Sequence, residues 1–286
     1  MDAPAELTHF LTTRRGRIQP AQAGVTQVRG RRRVPGLRRE EVAYLAGVSV
    51  EYYTRLEQGR AKGASEEVLI SIAKALQLNE TERAHLFDLA RAVGPARKPS
   101  RPRTAVPSTR PELQTLLHTV TDAAVLMISE KGDVLGANAL GRALYSPMFT
   151  DAAVSMPRFI FLDPSARMFH RDWESVAETV VGLLRRAAGR NPYDKSLTDL
   201  VGELSLRSDV FRVRWAAHEV QPLTSGRKSF RHPEVGDLDL EYEYLSIVSN
   251  DEVFWLMYFA EPGTPAHDSL QLLGTLAAAE RTGHLS

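Results

Sequence analysis

Two helical patterns joined through a single glycine organise the amino-terminal part of the chain. In LRREEVAYLAGVSVEYYTRLEQG, Leu37 to Gly59, apolar residues at Val42, Leu45, Ala46, Val48, Tyr53 and Leu56 keep one buried face through the break at Gly47. This is the spacing of a helix-turn-helix. Gly47 supplies the left-handed backbone position that ends the first helix, and Ser49 is placed to cap the second by accepting from one of its free N–H groups. Val50, Glu51 and Tyr52 then project outward. Upstream, Leu7, Phe10, Leu11 and Ile18 predict a further helix. Downstream, Val68, Leu69, Ile72, Ala73 and Leu76 predict another behind the Ser65-Glu66-Glu67 start. Asn79 and Glu82 have capping-box spacing for a fifth, carried by Leu86, Leu89, Ala90 and Val93 and stopped at Gly94-Pro95.

The pattern changes beyond Gly94-Pro111, a stretch with five prolines and no acid that reads as a semi-rigid linker. Glu112 to Thr119 has helical spacing. AAVLMIS, the turn EKGD and VLGAN predict a hairpin, followed by a helix from Ala139 to Tyr145. Helical spacing returns over Trp173 to Ala188 and Leu197 to Leu206. In DLDLEYEYL, Leu238, Leu240, Tyr242 and Tyr244 alternate with acids, predicting a strand with one wet face. VFWLMYFA, Val253 to Ala260, is apolar throughout and predicts a central strand covered on both sides. A helix from Ser269 to Ala279 comes last. The fold class is multidomain: an all-α five-helix helix-turn-helix domain over 1–94, a basic Pro-rich linker over 95–111, and an α+β domain with an antiparallel sheet over 112–286.

Charge sharpens this division. The net charge of +1 over 286 residues hides an asymmetry. Residues 1–95 carry 15 Lys/Arg against 11 Asp/Glu (net +4), residues 96–111 carry 5 against 0 (net +5), and residues 112–286 carry 16 against 24 (net −8). A basic start before an acidic remainder fits a polyanion-binding module joined to a part that does not bind polyanions. Arg31, Arg32 and Arg33 lie in VRGRRRVPG, where Pro35-Gly36 forbid a continuous helix, so they form an arm that grips phosphate or enters the minor groove. With no cysteine there is no disulfide and no Cys-based metal centre. No apolar run approaches a membrane span and MDAPAEL has no signal-peptide pattern, so a soluble, cytoplasmic protein without cofactor or metal is expected.

The ordering of Gly-Val-Ser, reading helix and Leu-Glu-x-Gly resembles the XRE family of phage-repressor-type regulators. In that family the second helix lies in the DNA major groove. The resemblance implies that Ser49, Val50, Glu51 and Arg55 contact base edges or nearby phosphates, with Arg38, Arg39 and Tyr52 completing the DNA-facing set. It also implies that Tyr53, Leu56 and Glu57 serve packing and an internal ion pair. Chemically, Arg55 offers a two-pronged donor to guanine, Glu51 an acceptor to cytosine and Val50 a contact for a thymine methyl. The bland alternative is that Glu51 and Arg55 are an i, i+4 pair on a solvated face.

RFIFLDP at Arg158, RDW at Arg171, RWAAHEV at Arg214 and RHPEVGDLDL at Arg231 resemble the MmyB-like ligand-binding domain. That domain is PAS-like and commonly follows such a helix-turn-helix. The resemblance implies a transcriptional regulator that binds double-stranded DNA and, in a PAS-like sheet curved around one cavity, senses a small, amphipathic (fatty-acid-like) or apolar effector; a homodimer is expected because a single reading helix buries little surface and two half-sites multiply specificity. Candidate lining residues are Asn138, Phe159, Phe161, Trp173, Trp215, His218, Tyr242, Trp255 and Tyr258, although aromatics at such spacing commonly serve as core. Two rivals stand beside this reading. One is a regulator whose second domain only dimerises or binds a protein partner. The other is an enzyme using His218 or His232 with Glu219 or Glu234, for which no nucleophile motif, phosphate loop or metal pair exists.

Overall fold

The computed structural model describes residues 2–25, 36–93, 110–149, 154–217, 225–247 and 250–283. The chain divides into two compact units. One comprises Met1–Pro102, Arg185–Gly202 and Val213–Gln221; the other comprises Arg103–Leu184, Glu203–Arg212 and Pro222–Ser286.

The first unit contains the five expected helices: α1 (Ala3–Arg17), α2 (Arg39–Ala46), α3 (Val50–Glu57), α4 (Glu66–Ala75) and α5 (Glu80–Val93). Their starts and stops follow from the residues that predicted them. Gly47 takes φ 65° in the left-handed region and closes α2. Ser49 Oγ accepts from the Tyr52 N–H at 3.1 Å. Ser65 Oγ accepts from the Val68 N–H, and Asn79 and Glu82 exchange reciprocal side chain to backbone bonds, both at 2.9 Å. One core gathers Leu7, Phe10, Leu37, Val42, Tyr53, Leu56, Ile72 and Leu86 from all five helices and the segment leading into α2. Residues 28–35 of the basic arm and 94–109 of the linker lie outside the described residues.

The elements after the linker are α6 (Pro111–Thr119), β1 (Ala124–Ser129), β2 (Val134–Ala137), α7 (Ala139–Leu144), α8 (Met156–Leu162), α9 (Ser165–Phe169), α10 (Trp173–Arg190), α11 (Lys195–Arg207), α12 (Asp209–Ala216), β3 (Gly226–His232), β4 (Gly236–Ile247), β5 (Asn250–Phe259) and α13 (Pro265–Gly283). The five strands form one antiparallel sheet in the order β2-β1-β5-β4-β3. The apolar run of β5 is therefore central, as its pattern predicts. On one face Val253 and Trp255 pack with Leu113, Leu117, Val125 and Met127 under α6. Leu256 and Tyr258 point to the other face, where the helices between β2 and β3 complete the core.

Four elements carry no readable period. In α8, Phe159, Ile160 and Phe161 are consecutive and all buried, so no amphipathic stripe marks the helix. Helices α9 and α12 are short. Strand β3 alternates, but its inward side consists of Lys228, Phe230 and His232, two of them polar.

Each edge strand of the sheet has a local partner at one carbonyl. At β2 the Gln114 side chain donates to the Leu135 carbonyl at 3.2 Å. At β3 the Arg171 N–H donates to the Ser229 carbonyl at 2.9 Å, while Arg227 and Arg231 pair with Glu241 and Asp237 of β4.

Candidate DNA-reading helix and ligand cavity

Helix α3 is mounted on a buried carboxylate. Glu57, with a side chain 0% exposed, accepts from Thr12 Oγ1 at 3.2 Å, from Arg15 Nε at 2.8 Å and from Arg39 Nε. Arg15 also donates to the Leu37 carbonyl at 2.8 Å. One acid thus ties α1, α2 and the entry to α2 onto α3. Its hydrogen bond and charge push the Arg39 pKa up. Arg39 therefore spends its guanidinium on Glu57 while half of its side chain stays exposed. Arg38 is the residue before α2; its N–H donates to Glu41 at 2.7 Å and its guanidinium reaches Glu40.

The opposite face of α3 is open. Ser49, Val50, Glu51 and Arg55 are exposed and Tyr52 is half-buried, with the Arg55 guanidinium 5.7 Å from the Tyr52 ring centre. Arg60 and Lys62 are exposed in the loop after α3; sequence patterning passed over them because they lie outside both helices. The outward residues of α3 thus combine donors, an acceptor and an apolar group on a rigid helix, the set needed to read base edges. Arg31, Arg32 and Arg33 lie outside the described residues.

In the second unit a cavity of about 20 Å³ lies between the sheet and its helices. Ile128, Leu256 and Tyr258 line it from the sheet, Val176, Thr179, Val180 and Leu183 from α10, and Tyr145, Met156, His170, Lys228 and Tyr244 close it. Tyr258 is the member of the expected ligand set found among these residues. Its hydroxyl and that of Tyr145 lie 2.5 Å apart, and burial pushes both phenol pKa values up.

The other expected lining residues are not among those around this cavity. Asn138 caps α7 and spends its whole amide inside the fold, bonded to Val120, Ala123, Val125 and Gly141. Phe159 packs edge-on to Phe169, and Phe161 to Phe211 and Trp173. Trp173 donates its indole N–H to the Ile160 carbonyl at 3.1 Å. Trp255 packs under α6, on the sheet face away from the cavity. Tyr242 lies behind Lys228, whose ammonium is 5.0 Å from its ring centre. Trp215 belongs to the first unit, against Arg185. His218 lies outside the described residues.

Two cavity residues that patterning did not single out carry the unusual chemistry. Lys228 is 5% exposed, and among the described residues no carboxylate comes within ion-pairing distance of its ammonium. Burial holds its pKa down, partly opposed by Asp172 farther off. His170 is 1% exposed with neither ring nitrogen hydrogen-bonded among the described residues. Burial, then the Lys228 charge, lowers its pKa to about 3, which keeps the ring neutral. No regular spacing announces either residue.

A capped helix-turn-helix with one open face on its second helix, followed by an α+β domain with an internal cavity, is the architecture of a DNA-binding transcription regulator that carries a ligand-binding domain, the class that the family matches support. Residues 6–86 match a helix-turn-helix domain family, and residues 109–273 match the family described as the MmyB-like transcription regulator ligand binding domain. The chain belongs to this MmyB-like family. A comparison with curated proteins found no match. Among the described residues no helix is long and apolar enough to cross a membrane.

Proposed function

We propose that the protein, as a homodimer, reads a specific duplex sequence with Val50, Glu51 and Arg55 of α3, and that an amphipathic anion in the cavity controls this binding. The observation that carries the DNA reading is the mounting of α3, with its inner face fixed through Glu57 and its outer face free. A dimer follows from the limited surface that one reading helix buries, since two half-sites multiply specificity. Ser49 and Tyr52 shape the start of the reading face. Arg38 and Arg39 stand beside the phosphates together with Arg31, Arg32 and Arg33.

Selection of duplexes from a random pool, followed by anisotropy titration, tests this reading. Arg55→Ala is expected to lower discrimination among selected duplexes by about 1–3 kcal/mol, with nonspecific binding retained. Removing Arg31, Arg32 and Arg33 together is expected to weaken all duplexes alike and to flatten the salt dependence by about three units of slope. Equal loss of specific and nonspecific binding on changing Arg55 counts against its assigned role.

The ligand class is read from Lys228 and His170. A buried ammonium without a counter-ion is costly, and an anionic head group supplies both its charge and a bond for the imidazole N–H. Ile128, Val176, Val180, Leu183 and Leu256 offer the apolar remainder of the wall. In wild type, alkyl carboxylates are expected to displace 1-anilinonaphthalene-8-sulfonate about tenfold more tightly than the matching alcohols, and in Lys228→Met the difference is expected to vanish. Equal affinity of acids and alcohols for the wild type refutes the head-group assignment.

One observation favours a second reading, in which this domain serves association alone. The cavity volume of about 20 Å³ suits little more than a water molecule. Native mass spectrometry of the purified protein separates the two readings, since a sensor carries or takes up an amphiphile and a filled core does not.

A further inference from the structure

The two ends of α10 do different work. Val176, Thr179, Val180 and Leu183, in its amino-terminal part, supply four of the twelve residues around the cavity. Beyond Leu184 the same uninterrupted helix belongs to the first unit. There Arg185, 0% exposed, donates to Glu6 of α1 at 2.6 Å and to the Trp215 carbonyl, with its guanidinium carbon 3.8 Å from the Trp215 ring centre. Burial pulls the Arg185 pKa down to about 10, and the bond and charge of Glu6 oppose that fall. One turn later Gly189 lies so close to the ring of His85 on α5 that an added Cβ would sit 2.7 Å from it. Within the first unit, Arg17 of α1 also donates to the Ala217 carbonyl at 3.3 Å.

A cavity this small admits a ligand only if part of its wall yields. The sheet side is held by antiparallel ladders on both flanks of β5, broken only by a register shift between Ser246 and Ile247 of β4, whereas α10 faces the cavity with packed side chains. Of these two walls, α10 is the one that no ladder hydrogen bonds hold in place. A buried ion pair is seldom a net source of stability, and its best-attested use is to fix register or to hold a switch. Glu6 lies on the helix that also carries Thr12 and Arg15, the partners of Glu57 on α3.

We propose that Glu6–Arg185 is a transmission latch, through which displacement of α10 at the cavity is delivered to α1 and from there to the reading helix. This rests on the function proposed above for α3 and the cavity. The latch makes Arg185 a positioning residue: it touches neither DNA nor effector, and acts through α1.

The test uses the full chain and needs no identified effector. Val180→Phe places a ring in the cavity as a built-in occupant, and Val180→Leu is the milder version should the ring not be tolerated. Each is made in the wild-type background and in Glu6→Leu/Arg185→Met, where both charges are removed together so that neither is left buried alone. Hydrogen exchange over Ala3–Arg17 reads the latch without DNA. Filling the cavity is expected to speed exchange in α1 about fivefold or more in the latched protein, and to leave it unchanged in the double variant. Affinity for a selected duplex is expected to follow the same pattern. An equal response of α1 in both backgrounds, or none in the latched protein, overturns the latch. If α1 responds through the latch while the wild type selects no duplex, the latch stands and the DNA reading fails.

Discussion

Glu57→Ala is expected to lower the stability of the helix-turn-helix module by about 3–5 kcal/mol, the cost of breaking a buried pair from one side. The carboxylate has no exposed surface and collects three donors from two other helices. Its removal strands the Arg15 guanidinium, itself only 12% exposed, beside an apolar core. Arg15 keeps the Leu37 carbonyl as an acceptor but loses its counter-charge. Arg39 can turn to water because half of its side chain is already exposed, so Arg39→Ala should cost clearly less. Glu57→Gln should fall between, retaining an acceptor without the charge. Urea unfolding followed by amide exchange in α1 and α3 reports the module itself, where a whole-chain signal would mix two units. A loss below about 1 kcal/mol for Glu57→Ala would mean that the apolar core alone holds α3 in place. Because this network mounts the reading helix, duplex binding should decline with the lost stability.

The second large effect is expected at Asn138. Its Oδ1 accepts from the Val125 and Gly141 N–H groups at 2.9 and 2.7 Å, and its Nδ2 donates to the Val120 and Ala123 carbonyls at 2.8 and 2.7 Å. Asn138→Ala leaves two backbone donors and two acceptors without these partners, at a combined cost of about 4 kcal/mol. Water cannot easily replace the amide, because α7 passes so near β1 that a side chain at Gly141 would run into the Val125 carbonyl. Asn138→Asp keeps the acceptor but sets a carboxylate against two carbonyl oxygens. It should be markedly destabilised at neutral pH and partly recover in acid, as protonation restores a donor. Thermal unfolding of the domain over a pH series checks both variants. Unchanged stability with weakened effector binding would instead return Asn138 to the role of a ligand contact.

Asn138 illustrates how far sequence reading carries. By sequence the residue is a candidate lining group; its amide is turned inward, and nothing in AVLMISEKGDVLGAN distinguishes an amide facing a ligand from one facing four backbone groups. Where one face of an element is wet, the period is legible: α1 to α5, α10, α11 and β4 all follow their apolar spacing. The caps at Ser49, Ser65 and Asn79 were readable because capping depends on immediate neighbours. Reading fails where burial and polarity part company. GRKSFRH looks like a charged loop, yet Lys228 and His232 face inward while Arg227 and Arg231 take the wet side. The polar groups of the cavity are hidden from sequence for this reason: Lys228 and His170 come from segments that meet only in the folded sheet and its cover. Phe161, Trp173 and Trp255 are buried, as aromatics at such spacing commonly are, and burial alone does not separate a core ring from a cavity wall.

The two outer strands have a consequence for self-association. Gln114 occupies a carbonyl on β2, Arg171 occupies one on β3, and Arg227 and Arg231 place guanidinium groups beside β3. An incoming extended peptide would have to evict these groups before gaining its first ladder bond. Each of these bonds therefore raises the cost of adding a strand at that margin of the sheet.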